Sequence, residues 1–180
     1  VKEADIIGRE DLTALPFITI DPADARDHDD AVFAEPDPDA EGGFIVWVAI
    51  ADVAAYVTPG SSMDSEAKKR GNSVYMPDRV VPMLPERLSN DLCSLREGET
   101  RPCLAVRMHV DASGKKTGHK FFRGLMRSAA KLSYSEAQRA FDGDCPPAFS
   151  ALNDTVLQPL WRAYQCMAAA RDNRQPLRIN

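Results

Sequence analysis

The strongest constraint on how this chain can fold is a run of seven apolar residues, Phe44–Ile50 (FIVWVAI). It is rich in β-branched and aromatic side chains, and Gly42 and Gly43 stand directly before it. Such a run is short for a helix and lacks the alternation of a half-exposed strand. It therefore reads as a strand covered on both faces, which requires neighbours beside it and packed layers above and below. Ala31–Glu35 (AVFAE) precedes it across a turn marked by Pro36, Pro38, Gly42 and Gly43, so the two predict a hairpin. Phe17–Ile20 (FITI) is a further short apolar run and a third expected strand.

Beyond these strands the pattern brings in helices as well as a further hairpin. Cys103–Val110 and Lys120–Ser128 flank the turn DASGKKTG and predict another hairpin. Ser61–Arg70 carries serines and Asp64 at its start, bases in its last turn and Gly71 after it, the pattern of a capped helix. Ser133 and Glu136 are spaced as a capping box, so a helix is expected over Ser133–Phe141. From Asn153 to Asn173 apolar residues recur at helical spacing, with Pro159 tolerable at the first turn of a second segment. Residues 75–87 hold Pro77, Pro82 and Pro85 and exclude a regular helix or central strand. Strands first and helices later favour an α+β fold, a mixed and mainly antiparallel β-sheet with flanking helices. No dinucleotide-binding or P-loop glycine motif is present.

Residues 1–15 are polar and read as a linker leading in from an upstream module, with one domain over 16–180. The chain opens on Val and closes on QPLRIN, which reads as the start of a strand, so both ends are expected to be cuts in a longer protein. There is no apolar run of about 18 residues, so no membrane span is expected. The four cysteines form no CxxC pair and the three histidines are scattered, which argues against a zinc finger and for reduced structural thiols in a cytoplasmic protein.

The net charge of −5 on 180 residues argues against a nucleic-acid partner, but its distribution changes that reading. Residues 17–41 hold nine acids and one base, Arg26, whereas residues 115–131 hold six bases and no acid. Within the acidic stretch, Asp21 follows a strand, and Asp27, Asp29 and Asp30 lie six to nine residues on, across a turn-prone segment containing Pro22. A loop of that length can fold back and bring the four together. Converged carboxylates repel, at about 1–4 kcal/mol per pair at ~4 Å, unless a cation or raised pKa values compensate. Hard oxygen donors suit Mg²⁺, with Mn²⁺ as the alternative, and a two-ion site of this kind serves phosphoryl hydrolysis. From spacing alone such a run is more often a solvated acidic loop than a metal site.

Longer motifs carry a family resemblance. Thr19–Val32 (TIDPADARDHDDAV), Trp47–Val57 (WVAIADVAAYV), Gly71–Leu95 (GNSVYMPDRVVPMLPERLSNDLCSL) and the following RPCLAVRMHVDASGK occur in the order seen in the RNase II/RNase R exoribonucleases. From about Asp11 to Leu132 the chain resembles their RNB domain, closest to the RNase R branch. The resemblance implies Mg²⁺-assisted, processive 3′→5′ hydrolysis of single-stranded RNA to nucleoside 5′-monophosphates. It places the metal-holding, catalytic aspartates at Asp21, Asp27, Asp29 and Asp30, with Asp29 most tied to the chemical step. It places the tyrosine that stacks on the 3′-terminal base at Tyr75. His28 falls where the family often has Phe or Met, and is expected to be a spacer pointing away from the metals. The family's catalytic arginine and the helical second half of its domain lie beyond Asn180, so the fragment is expected to be nearly inactive alone; the intact protein is expected to be monomeric. Two other classes stay open: a non-catalytic RNA-binding relative, and a metal-dependent phosphatase of small phosphate esters. Asp52 is expected to cap a strand end, Ser89–Asp91 carry no assigned chemistry, and Trp161 and Tyr164 are expected in the core.

Overall fold

In the computed structural model, which describes residues 7–174, six strands form one sheet. They are β1 (Glu10–Asp11), β2 (Phe17–Asp21), β3 (Asp30–Pro36), β4 (Phe44–Ala51), β7 (Thr100–Val110) and β8 (Lys116–Ser133), in the spatial order β1-β8-β2-β3-β4-β7. A separate two-stranded ribbon pairs β5 (Val74–Tyr75) with β6 (Val80–Val81). The helices are α1 (Ser62–Arg70), α2 (Tyr134–Phe141), α3 (Ser150–Leu152) and α4 (Gln158–Asn173).

The sheet closes on itself through β8. The first part of this strand pairs antiparallel with β7, from Val110↔Lys116 to Thr100↔Arg127. Its last part pairs parallel with β2, from Phe17↔Ser128 to Asp21↔Ser133. Both expected hairpins are present, β3–β4 around the Pro/Gly turn and β7–β8 around DASGKKTG. The second is longer than its apolar core predicts, because polar residues of β8 continue the ladder on its solvent side.

Closure explains the core. Trp47 on β4 meets Phe17 on β2 edge-to-face at 6.4 Å and Phe122 on β8 at 5.3 Å, although none of these strands is hydrogen-bonded to β4. Only a curled sheet brings them together, and burying rings of this size contributes about 1.5–3 kcal/mol each. On the other face of the sheet, Ala34 of β3, Val46 of β4 and Val110 of β7 pack against Ala163 of α4. Within the Phe44–Ile50 run, Val46, Trp47 and Ala49 are thus buried, while Val48 is half-buried and Ile50 is 46% exposed.

The capping signals hold. Ser61 Oγ accepts the Asp64 amide at the start of α1, and Gly71 follows it. Ser133 and Glu136 form both arms of a capping box on α2. A wide turn at Asn153–Leu157 leads into α4, with Pro159 in the first turn. The expected linker over 1–15 departs from expectation within its described part. Glu10 and Asp11 join the sheet beside Gly124 and Leu125, and Leu12 is buried. Two paired residues in a polar stretch have no periodicity to reveal them. The strand expected at 175–180 and residues 1–6 of the linker lie outside the described residues.

Candidate active site

The four signature aspartates sit where β2 hands over to β3. Ile18 pairs with Val32, so Asp21 at the end of β2 and Asp30 at the start of β3 lie at the same end of the strand pair. Asp27 and Asp29 occupy the loop between them. The loop is held from outside. The Asp29 carbonyl accepts the Ala51 amide at 2.8 Å, the His28 carbonyl accepts the Leu95 amide at 2.8 Å, and the His28 amide donates to Ser94 Oγ at 3.0 Å.

His28 does not point away. Its Nδ1 lies 2.8 Å from Asp21 Oδ2, and the side chains are 7% and 15% exposed. The expected spacer is therefore a partner of the first aspartate. The backbone anchors at Ser94 and Leu95 fix the ring's direction, and no local pattern encodes them. The same anchors give the LSNDLCSL segment a role that sequence reasoning left blank: it backs the carboxylate loop through Ser94, which is fully buried.

The loop's electrostatics show a crowded cluster. Desolvation by the surrounding chain pushes the Asp29 carboxyl above the usual carboxylate range, and the charges of Asp27, Asp30 and Asp21 push it further, against a pull from His28. Asp30 is raised by desolvation and by Asp21. The side chains of Asp27, Asp29 and Asp30 make no hydrogen bond or ion pair among the described residues. Also among these residues, no three His, Cys, Asp or Glu side chains are arranged to hold a metal ion as they stand. The donor chemistry nevertheless fits a hard divalent cation. All-oxygen donors carry mutually repelling charge, which such an ion would offset.

Tyr75 is 75% exposed on the β5–β6 ribbon, paired with Val80. It is not a core tyrosine. Val74, Met76, Val80 and Val81 beside it are exposed as well. The ribbon is tied to α1 by Arg70, which donates to the Pro82 carbonyl at 2.9 Å.

Asp52 does not cap a strand end as expected. It precedes the short turn Val53–Ala55, but its side chain makes no capping bond. Instead it is buried, and Oδ2 takes Arg9 at 2.7 Å and Arg123 at 3.3 Å. Trp161 and Tyr164 do not enter the core clusters as expected. Phe141, Trp161 and Tyr164 form a continuous ring stack, with centroids 4.7 and 5.2 Å apart, that ends at the exposed Tyr164. All four cysteines are free.

Residues 9–177 match the RNB domain family. The chain belongs to the RNB-domain family. It is 48% identical over 175 residues to Ribonuclease R of Acidithiobacillus ferrooxidans, covering 97% of this chain and 39% of that protein. It is 49% identical over 144 residues to Ribonuclease R of Escherichia coli, covering 80% of this chain and 18% of that protein. The chain thus spans about a fifth to two fifths of the length of these curated relatives. Mycoplasma genitalium RNase R in complex with double-stranded RNA superposes with a TM-score of 0.85 at 34% identity, over 92% of this chain and 29% of that one. The same protein with ribose-methylated single-stranded RNA also gives 0.85. The expected mixed sheet with flanking helices is therefore that of the RNase R RNB domain. Yeast Ssd1, a pseudonuclease, shares the fold at 20% identity and a TM-score of 0.77. Among the described residues no helix is long and apolar enough to cross a membrane.

Proposed function

We propose that this chain is the carboxylate-bearing N-terminal half of the catalytic domain of a 3′→5′ exoribonuclease. In this reading the intact protein works as a cytoplasmic monomer and degrades single-stranded RNA processively to nucleoside 5′-monophosphates. The observation that carries the reading is the gathering of four aspartates at the β2–β3 junction of a chain that belongs to the RNB family.

Asp21, Asp27, Asp29 and Asp30 would hold Mg²⁺, with Mn²⁺ as a substitute. When bound, the metal supplies Lewis-acid polarisation of the phosphodiester and stabilises charge on its oxygens. His28 holds one carboxylate oxygen of Asp21, which leaves the other directed by that bond. Ser94 and Leu95 fix the backbone of His28, so the loop is shaped before substrate arrives. Tyr75 offers an exposed ring on which a terminal base stacks, an interaction of about 1–3 kcal/mol that ignores base identity. The buried thiols of Cys93 and Cys103, pushed up to about 11 by desolvation, take no part.

The test is a 3′-end-labelled RNA decay assay on the intact catalytic domain, with and without Mg²⁺, for the unaltered protein and Asp29→Asn. The expected result is stepwise release of nucleoside 5′-monophosphates that needs Mg²⁺ and is lost in Asp29→Asn while RNA binding survives. Normal turnover by the variant overturns the assignment.

A further inference from the structure

A cleft of about 550 Å³ opens behind the carboxylate loop, lined by Arg26, His28, Asn90, Arg96, Glu97, Glu99 and Lys131 among others. This volume lies within the range of small-molecule sites. Of its two acids, Glu99 is ion-paired, whereas Glu97 is held through one oxygen by a backbone amide and keeps its charge. Glu97 Oε2 accepts the Lys131 amide at 3.0 Å, and Glu99 pairs with Arg101 and, at 3.5 Å, with Arg96. Arg96 is further held by Asp91 at 3.0 Å.

Two cations remain. Arg26 is the only base in residues 17–41, yet it makes no ion pair or hydrogen bond with the aspartates around it or with any other described residue. Lys131 Nζ reaches only the Ala25 carbonyl, at 3.4 Å, and so keeps donors to spare. His28 lines the same cleft and touches Asp21 through Nδ1, while its Nε2 has no partner among the described residues. An occupant of the cleft would therefore stand one side chain away from the carboxylate cluster.

We infer that this cleft is a phosphate-binding subsite for RNA, with Arg26 and Lys131 as the groups that meet the anion. The inference rests on the exoribonuclease reading for its substrate class and adds a site outside the carboxylate quartet. A guanidinium fork and an ammonium lining one cleft favour an anion such as phosphate over a neutral ligand. The phosphate is supplied either by a backbone phosphodiester or by the terminal monoester of a released nucleotide.

The test is calorimetric titration of the 180-residue chain with 5′-AMP, with the dinucleoside monophosphate ApA and with adenosine. Arg26→Gln and the double variant with Lys131→Gln are titrated in parallel, with thermal melts as a folding control. At least one phosphate-bearing ligand binds, adenosine does not, and affinity falls at least tenfold in the double variant and measurably in Arg26→Gln, whose side chain supports nothing else. Binding of ApA alone assigns the site to the RNA backbone, and binding of AMP alone to the product. Failure of both phosphate ligands to bind, equal binding of adenosine, or unchanged affinity in a folded Arg26→Gln overturns the site. RNA decay by the intact domain is scored separately, so loss of the subsite with decay intact leaves the exoribonuclease reading standing.

Discussion

Arg9 and Asp52 form an ion pair 2.7 Å long whose side chains are only 6% and 8% exposed, and it fastens the segment before β1 to the end of β4. Arg9 also donates to the carbonyls of Cys103 and Gly124 at 3.5 Å, so it stitches three strands. A buried pair adds little over an apolar substitute, but breaking one half leaves an uncompensated charge. Asp52→Ala is therefore expected to cost about 3–5 kcal/mol. Urea unfolding followed by circular dichroism measures this, and a loss below 1 kcal/mol would show that Arg9 finds other acceptors.

The His28–Asp21 contact separates orientation from folding. His28→Leu keeps the backbone bonds to Ser94 and Leu95 but removes the ring nitrogen facing Asp21. On the proposed role of Asp21 as a metal ligand, losing its hydrogen-bond partner lowers activity or metal affinity about 10–100-fold. His28→Asn can restore a donor near the Nδ1 position. In the intact catalytic domain kcat should fall in His28→Leu, recover in part in His28→Asn, and leave KM for RNA unchanged. A matched rise in KM would instead place His28 in substrate binding.

Much of this fold was legible because its signals are local. The caps at Ser61 and Ser133, the hairpin turns and the apolar run of β4 each state their structure within a few residues. What stayed hidden depends on distant partners. The pairing of β2 with the end of β8 joins Phe17 to Ser128, and nothing in either segment alone announces it. Asp52 reads as a strand-end cap until Arg9, from the segment before β1, and Arg123, from β8, meet it. The candidate site divides in the same way. The four aspartates stand out as concentrated charge on a turn, whereas the direction of His28 is set by the backbone trace and by Ser94, 66 residues away.

Crowding in the carboxylate loop predicts a pH-dependent stability difference. Asp29 is raised in the folded chain, so its carboxyl favours folding when protonated, below its unfolded pKa, and loses that contribution as pH rises through the folded value. Asp29→Asn is neutral at every pH. In metal-free buffer the variant should melt higher than the unaltered chain at pH 7, with the gap closing as pH falls through the carboxylate range. Parallel melting curves at all pH values would show that Asp29 is solvated like an ordinary aspartate.

The β7–β8 turn gives the sharpest steric prediction. Gly114 has φ +78°, and a Cβ there would lie 2.2 Å from the Cys166 carbonyl oxygen and 2.8 Å from the Ala170 Cβ on α4. The turn therefore packs its backbone directly on the helix, an approach that only glycine permits. Gly114→Ala combines left-handed strain with a backbone collision that no rotamer change can relieve. The expected loss is about 2 kcal/mol or more, with α4 displaced from the hairpin. The comparison variant is Gly98→Ala, where φ is +74° but no atom lies within 4 Å of the added methyl, so only the conformational strain is felt. Thermal melts of the two variants should differ clearly, and equal losses would show that α4 yields to the added methyl.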